Sequence, residues 1–275
     1  MERKFVGAGL LSGLIAGIIT FIYARIFIEP QVEKAIDYEE YRSHAEEKMN
    51  VALGGAPEHG HEHEVFTRTI QENVGAGIGT VIFALCMGAF FAVAFTFLWA
   101  YVGRRWASVD PRLVAGALGV LGWVAVIGVP FFVYPPNPPA VGDEDTIGAR
   151  SGSYLTITAV SVVAMVLAVW VTFALWDRFG GLISGIFSGI GFLIVVTIAA
   201  ALLPTFKEIP GPVEHDGTIF GAGFPGQVVA DFRVYAIANQ VILWSVLVLV
   251  FCLILGRMLR NPADTQERAA EPAGA

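Results

Sequence analysis

The amino-acid sequence predicts an all-α integral membrane protein, a bundle of about six transmembrane helices with outer loops. Three observations carry that prediction. Hydrophobic residues make up 55% of the 275-residue chain and charged residues 15%, where soluble domains carry about 25% charged residues. The apolar residues fall in long blocks, and several reach the roughly 20 residues a helix needs to cross the hydrocarbon core. Lysine and arginine lean modestly toward alternate connecting segments, the bias that orients a polytopic chain.

The first block, 5–28, follows Met-Glu-Arg-Lys. It is long for a signal peptide, and no small-x-small cleavage site precedes Glu29-Pro30, so it is expected to be an uncleaved span. Residues 29–73 read as an acidic, histidine-bearing extracytoplasmic loop. The second block (74–102) leads into "GRRWASVDPR", three arginines in ten residues. The third (113–133) ends before a proline-rich connection. The fourth (154–176) and fifth (181–203) are separated only by Asp177 to Gly180, which predicts a tight helical hairpin. A polar segment, 204–233, precedes the sixth block (234–256), and 261–275 reads as a disordered cytoplasmic tail. Five spans is the alternative count, with one block re-entrant or lying on the surface. The whole chain is expected to form a single polytopic domain in the cell's inner or plasma membrane.

With both termini cytoplasmic, nine lysines and arginines fall inside and seven outside, Arg25 lying within the first span. The acidic residues are more lopsided. Eleven of the 24 lie in 29–73, three in 134–153 and four in 204–233, all on the outer side. The five histidines (His44, His59, His61, His63 and His215) face outward too. A surface of that sign concentrates cations. The net charge of −7 gives no nucleic-acid footprint.

Two stripes of glycine, Gly9/Gly13/Gly17 and Gly181/Gly185/Gly189, place small residues four apart, a spacing that lets helices approach closely in lipid. Imidazole and carboxylate together suit borderline divalent metals. In "PEHGHEHEVF" His59, His61 and His63 alternate with Glu58, Glu62 and Glu64. An extended backbone would put the three imidazoles on one face. His44 and His215 are candidates to complete a ligand shell, and a solvated loop without ligand duty is the alternative. Polar groups at membrane depth mark functional positions by default. Arg25 and Glu29, four apart and able to pair, and Asn239 and Gln240 are the transport-path candidates. Asn239 and Gln240 have the alternative role of cross-linking helices. Cys86 and Met87 form a weaker soft pair; Cys86 and Cys252 both lie in apolar blocks and read as packing residues.

Between the third and fourth blocks comes "YPPNPPAVGDEDTIGARSGSY". Its prolines cannot continue a helix and stiffen an extended segment. It holds Asp143 and Asp145 near the start of the next helix, where Asp145 or Thr146 is a candidate N-cap. This run, with Pro135, Asn137, Pro138, Pro139, Gly142, Thr146 and Tyr154, resembles the hallmark loop of the CbtA family of cobalt transporter subunits. The opening "GLLSGLIAGI" and the closing "FPGQVVADFRVYAIANQVILW", with Phe224, Pro225, Phe232, Arg233, Gln240 and Trp244, are similar to that family as well. The resemblance covers nearly the whole chain. It implies cobalt uptake, often linked to cobalamin synthesis, and a small single-span partner with a histidine-bearing tail (CbtB-like). The family is commonly described with about five spans, fewer than the six counted here.

No Walker A pattern, HExxH or GxSxG occurs, so an enzyme is not expected. The expectation is a permease subunit for Co²⁺ (Ni²⁺ or Zn²⁺ on chemistry alone). His59, His61, His63 and His215 would capture the ion transiently, with Asp143 and Asp145 nearer the mouth. The ion is cargo, with no permanently bound cofactor. A homo-oligomer is compatible with the sequence. The alternative is a non-transporting membrane scaffold for a metal-handling complex.

Overall fold

The structure is a computed structural model, and it describes residues 2–56 and 68–259. It is almost entirely helical: α1 (Glu2–Phe27), α2 (Glu29–Ala52), α3 (Arg68–Ile70), α4 (Ala76–Arg105), α5 (Pro111–Trp123), α6 (Val129–Val133), α7 (Ile147–Leu202) and α8 (Gly226–Leu259). A π turn, Gln71–Gly75, joins α3 to α4, and another, Val124–Gly128, joins α5 to α6. Among the described residues the sheet is a single antiparallel pair, β1 (Val213–His215) and β2 (Thr218–Gly221).

Among the described residues five helical rods are long and apolar enough to cross a membrane: Lys4–Phe27, Gln71–Arg105, Pro111–Val133, Ile147–Leu202 and Gly226–Met258. The fourth is two rods in one. As a straight helix its 56 residues would run about 84 Å, far beyond the roughly 30 Å of hydrocarbon. Gly180, at φ 77° and ψ 162°, breaks it. Ala164 packs with Phe192 and Val196, although a straight helix would hold residues 164 and 196 about 48 Å apart. The two limbs, 147–179 and 181–202, therefore fold back on each other. The turn needs two glycines for different reasons. Gly180 takes a backbone conformation that a Cβ disfavours, and at Gly181 a Cβ would lie 2.4 Å from the Trp176 ring. The predicted hairpin is present, and with it six apolar limbs.

The described residues pack as two compact units, with α1, α5 and α8 divided between them, α4 in the first and α7 in the second. The first takes in the described parts of Met1–Phe21, Val74–Leu121 and Val241–Ala275. Its core is aromatic: Phe95 and Phe251 meet edge to face at 5.0 Å, with Phe91 on Phe251 and Phe5 on Phe95. Along α1, Gly9 and Gly13 lie directly on the backbone of Gly88 and Ala84 in α4, and Gly17 lies on Val81. Thus one of the two glycine stripes is a packing seam. At the start of α5 Arg112 chelates Asp110, holding that carboxyl below its usual range chiefly by the arginine hydrogen bonds.

The second unit comprises Ile22–Asn73, so far as described, and Gly122–Gln240. Here the other glycine stripe departs from expectation, because among the described residues nothing beyond the helix's own backbone lies within 4 Å of a Cβ built on Gly185 or Gly189. The adjacent face of the limb, Ser184, Ser188, Phe192 and Val196, is the buried one. In lipid a small-residue face and an apolar face are equally soluble, so spacing alone does not choose between them.

The segment expected as an acidic loop contains a helix. Pro30 sits in the first turn of α2, where its missing N–H costs nothing. Gln31, Ala35, Tyr38 and Ala45 form a thin buried stripe, and Arg42 pairs with Glu46 one turn on at 2.9 Å. The stripe meets the β1–β2 hairpin: Ala45 lies against Gly221, and Tyr38 and Tyr41 bond the backbone of Ala222.

Candidate functional site

The proline–acid segment, residues 134–146, is the organising centre of the second unit. Proline has no N–H and forms no ladder of its own, so the segment's polar groups take partners elsewhere. Tyr134 donates its hydroxyl to the Pro204 carbonyl at 2.6 Å and packs its ring on Phe206. Arg233, from α8, donates to the Asn137 side chain at 2.7 Å and to the Pro136 carbonyl at 3.3 Å. Pro138 is fully buried. Val141 joins Ala35, Tyr38, Phe224, Val228 and Val229 in one apolar cluster. The two stretches that resembled a family in sequence, the "NPP" loop and the "FR" of α8, are thus in contact through Arg233.

The acid end is tied to Glu208, which the sequence did not single out. Thr146 Oγ1 lies 2.6 Å from Glu208 Oε1, the Asp143 N–H donates to Glu208 Oε2 at 3.1 Å, and Arg150 Nε is paired with the same oxygen at 3.3 Å. The Thr146 hydroxyl also lies 2.9 Å from the Asp143 carbonyl. That carbonyl already accepts from the Thr146 N–H and from Arg150, so the single hydroxyl proton goes to the charged acceptor. Thr146 holds the N-cap position of α7, as expected, yet makes no cap bond there. The donors, the Thr146 hydroxyl first, hold the Glu208 carboxyl below its usual range against the opposing effect of desolvation. Gly142, at φ +139°, is crossed by the Arg150 guanidinium, and a Cβ would stand 2.1 Å from it. Pro135, Pro139 and Tyr154 complete the expected loop residues, flanking these contacts.

The expected metal ligands are distributed unevenly. His59, His61 and His63 lie outside the described residues. A turn brings Asp143 and Asp145 together, the Asp145 N–H donating to Asp143 Oδ1 at 3.0 Å. His215 sits on β1, half exposed, beside Asp216 at 3.4 Å. No group of three His, Cys, Asp or Glu placed to hold an ion occurs among the described residues, so His215, Asp143 and Asp145 form no ligand set there. His44 lies on α2 between Glu40 and Glu47, over a shallow cleft of about 410 Å³ that Tyr41, Lys48 and Phe220 also line.

The transport-path candidates also differ from expectation. Arg25 pairs with Glu72 at 3.0 Å and bonds Asn73, while Glu29 pairs closely with Arg68. The expected Arg25–Glu29 pair does not form. The backbone stays helical through Ile28, but the segment leading into α4 supplies each with a partner from outside its own helix. Asn239 Oδ1 and Gln240 Oε1 are buried with no hydrogen-bond partner among the described residues. They do not cross-link helices through these oxygens. Cys86 is exposed on its helix.

No curated protein and no solved structure matches the chain. A family model does match, over residues 2–256, and its description is CbtA, probable cobalt transporter subunit. Five apolar rods, the NPP loop locked by Arg233 and a match over nearly the full length agree: this chain is a multi-pass membrane protein and belongs to the CbtA family.

Proposed function

We propose that this chain is the permease subunit of an uptake system for a divalent transition metal, Co²⁺ foremost. The observation that carries the reading is the pair of buried amide oxygens on α8, Asn239 Oδ1 and Gln240 Oε1, left without partners in an apolar helix. An unmet acceptor is costly at membrane depth. Each is offered separately as an oxygen ligand for a cation or for the water it carries, since consecutive residues of a helix point about 100° apart. The acidic segments on the loop side of the second unit attract the ion. His59, His61, His63 and His215, with Asp143 and Asp145, supply loose, exchangeable ligands on the approach. Both termini lie in the cytosol in this reading, which puts the arginine-rich connection 104–112 inside. The membrane potential then contributes about 2.3 kcal/mol per charge per 100 mV, roughly 4.6 for a divalent ion. The subunit's partner is a small single-span protein with a histidine-bearing tail.

Radiolabelled Co²⁺ uptake by proteoliposomes, with this chain alone and with the small partner, tests the proposal. Uptake should require the chain. Asn239→Leu with Gln240→Leu should abolish it, and alanine at His59, His61 and His63 should weaken it at low cobalt only. A full complex that moves no metal would leave the scaffold reading in its place.

A further inference from the structure

Glu208 stands where three segments meet. Residues 134–146 precede α7, Thr146 and Arg150 begin it, and Glu208 follows it. Because α7 folds back at Gly180, its two ends point toward the open end of a hairpin; the limb 147–179 outreaches the limb 181–202 by about 16 Å, and the chain after Leu202 covers that distance to come beside the first turn. Tyr134 makes one fastening, through Pro204 and Phe206. Glu208 makes the other, taking the Thr146 hydroxyl, the Asp143 N–H and the Arg150 charge on its two oxygens. Several features are given over to this second contact. Thr146 leaves its helix uncapped to reach Glu208, although a threonine oxygen there ordinarily accepts from a helix N–H. Residue 142 has room for no side chain because Arg150 must lie across it to reach both Glu208 and the Asp143 carbonyl. The Glu208 side chain is only 14% exposed, and it lies at the positive end of the α7 dipole.

We infer that Glu208 is a positioning residue for ion capture: its carboxylate clasps the open end of the α7 hairpin and fixes where the Asp143 and Asp145 carboxylates stand. Its two oxygens are filled by protein donors, so it is not itself offered to the ion. It acts through Asp143, whose N–H it holds and whose own Oδ1 orients Asp145. The inference rests on the uptake reading for its functional half only; the clasp is a property of the fold.

Glu208→Gln keeps an acceptor for Thr146 and loses the charge that pairs with Arg150. In a background with Cys86→Ala and Cys252→Ala, spin labels on Ile147→Cys and Ile209→Cys report the clasp. Both positions are exposed, one at the start of α7 and one beside Glu208. A narrow distance distribution is expected with Glu208 and a broad one with Glu208→Gln. In Co²⁺ uptake, Glu208→Gln should raise the half-saturating concentration about tenfold, as expected for the loss of a charge-assisted contact. The maximal rate should be kept, and Glu208→Asp should restore part of the affinity. If Glu208→Gln fails to reach the membrane, Thr146→Val is read the same way. An unchanged distribution overturns the clasp. A broadened distribution with unchanged half-saturation, or a loss of maximal rate alone, overturns the positioning role. A parent protein that moves no cobalt overturns the uptake reading and that role together, while the labels still decide the clasp.

Discussion

Alanine at Gly88 should loosen the first unit measurably. A Cβ there would stand 2.2 Å from the Gly9 carbonyl oxygen and 3.1 Å from Gly13 Cα. Carbon–oxygen contacts settle near 3.3 Å, so α1 must retreat by about 1 Å. Association of helices in lipid draws on van der Waals contact, because lipid tails are as apolar as the partner helix. A gap of that size forfeits a quarter to a half of each contact's attraction, and the retreat extends along the seam to Gly13 on Ala84 and Gly17 on Val81. Overpacking of this kind costs about 1–3 kcal/mol, or a fall in melting midpoint of about 3–10 °C for a chain of this size. The control is Gly185→Ala, where nothing lies within 4 Å of the new methyl. Helix propensity alone then favours alanine by up to about 1 kcal/mol, so its midpoint should hold or rise. Tryptophan-fluorescence melting of both variants in the same detergent reads the contrast. A Gly88→Ala protein that melts with or above Gly185→Ala would refute the seam.

Three further outcomes are expected. Gly142→Ala should destabilise by at least about 1–3 kcal/mol, since it strains a positive φ and pushes Arg150 off Glu208; combining it with Arg150→Ala, which clears the steric part, should recover some of the melting midpoint. Arg233→Lys should cost about 1–2 kcal/mol and leave residues 134–141 easier to proteolyse, because one ammonium cannot serve both the Asn137 oxygen and the Pro136 carbonyl. Glu208 has a folded-state pKa lowered from the ordinary 4.5, so its contribution to stability is present above that value and lost as pH falls through the folded one; melting midpoints of the parent and Glu208→Gln, apart at neutral pH, should converge in acid.

The sequence by itself determined the membrane class, the order of the apolar rods and the break at residue 180. Those follow from hydropathy over about 20 residues and from a polar Asp-Arg-Phe-Gly-Gly turn, which are local properties of the chain. It also marked the proline–acid run and the Phe232-Arg233 pair as significant, without showing that one binds the other. Tertiary structure decided what local properties leave open. Of two glycine stripes with identical spacing, only Gly9/Gly13/Gly17 found a partner, because complementary small residues, Gly88 and Ala84, happen to face it. Arg25 and Glu29 had the spacing to pair and took Glu72 and Arg68 instead, because the segment leading into α4 brings those partners in from outside their own helix. The α2 helix escaped notice because a stripe of four buried residues hardly rises above a charged background. Glu208, a lone carboxylate in a loop, acquired its two donors and the Arg150 charge only because the α7 hairpin folds back and returns the chain beyond α7 to where α7 began.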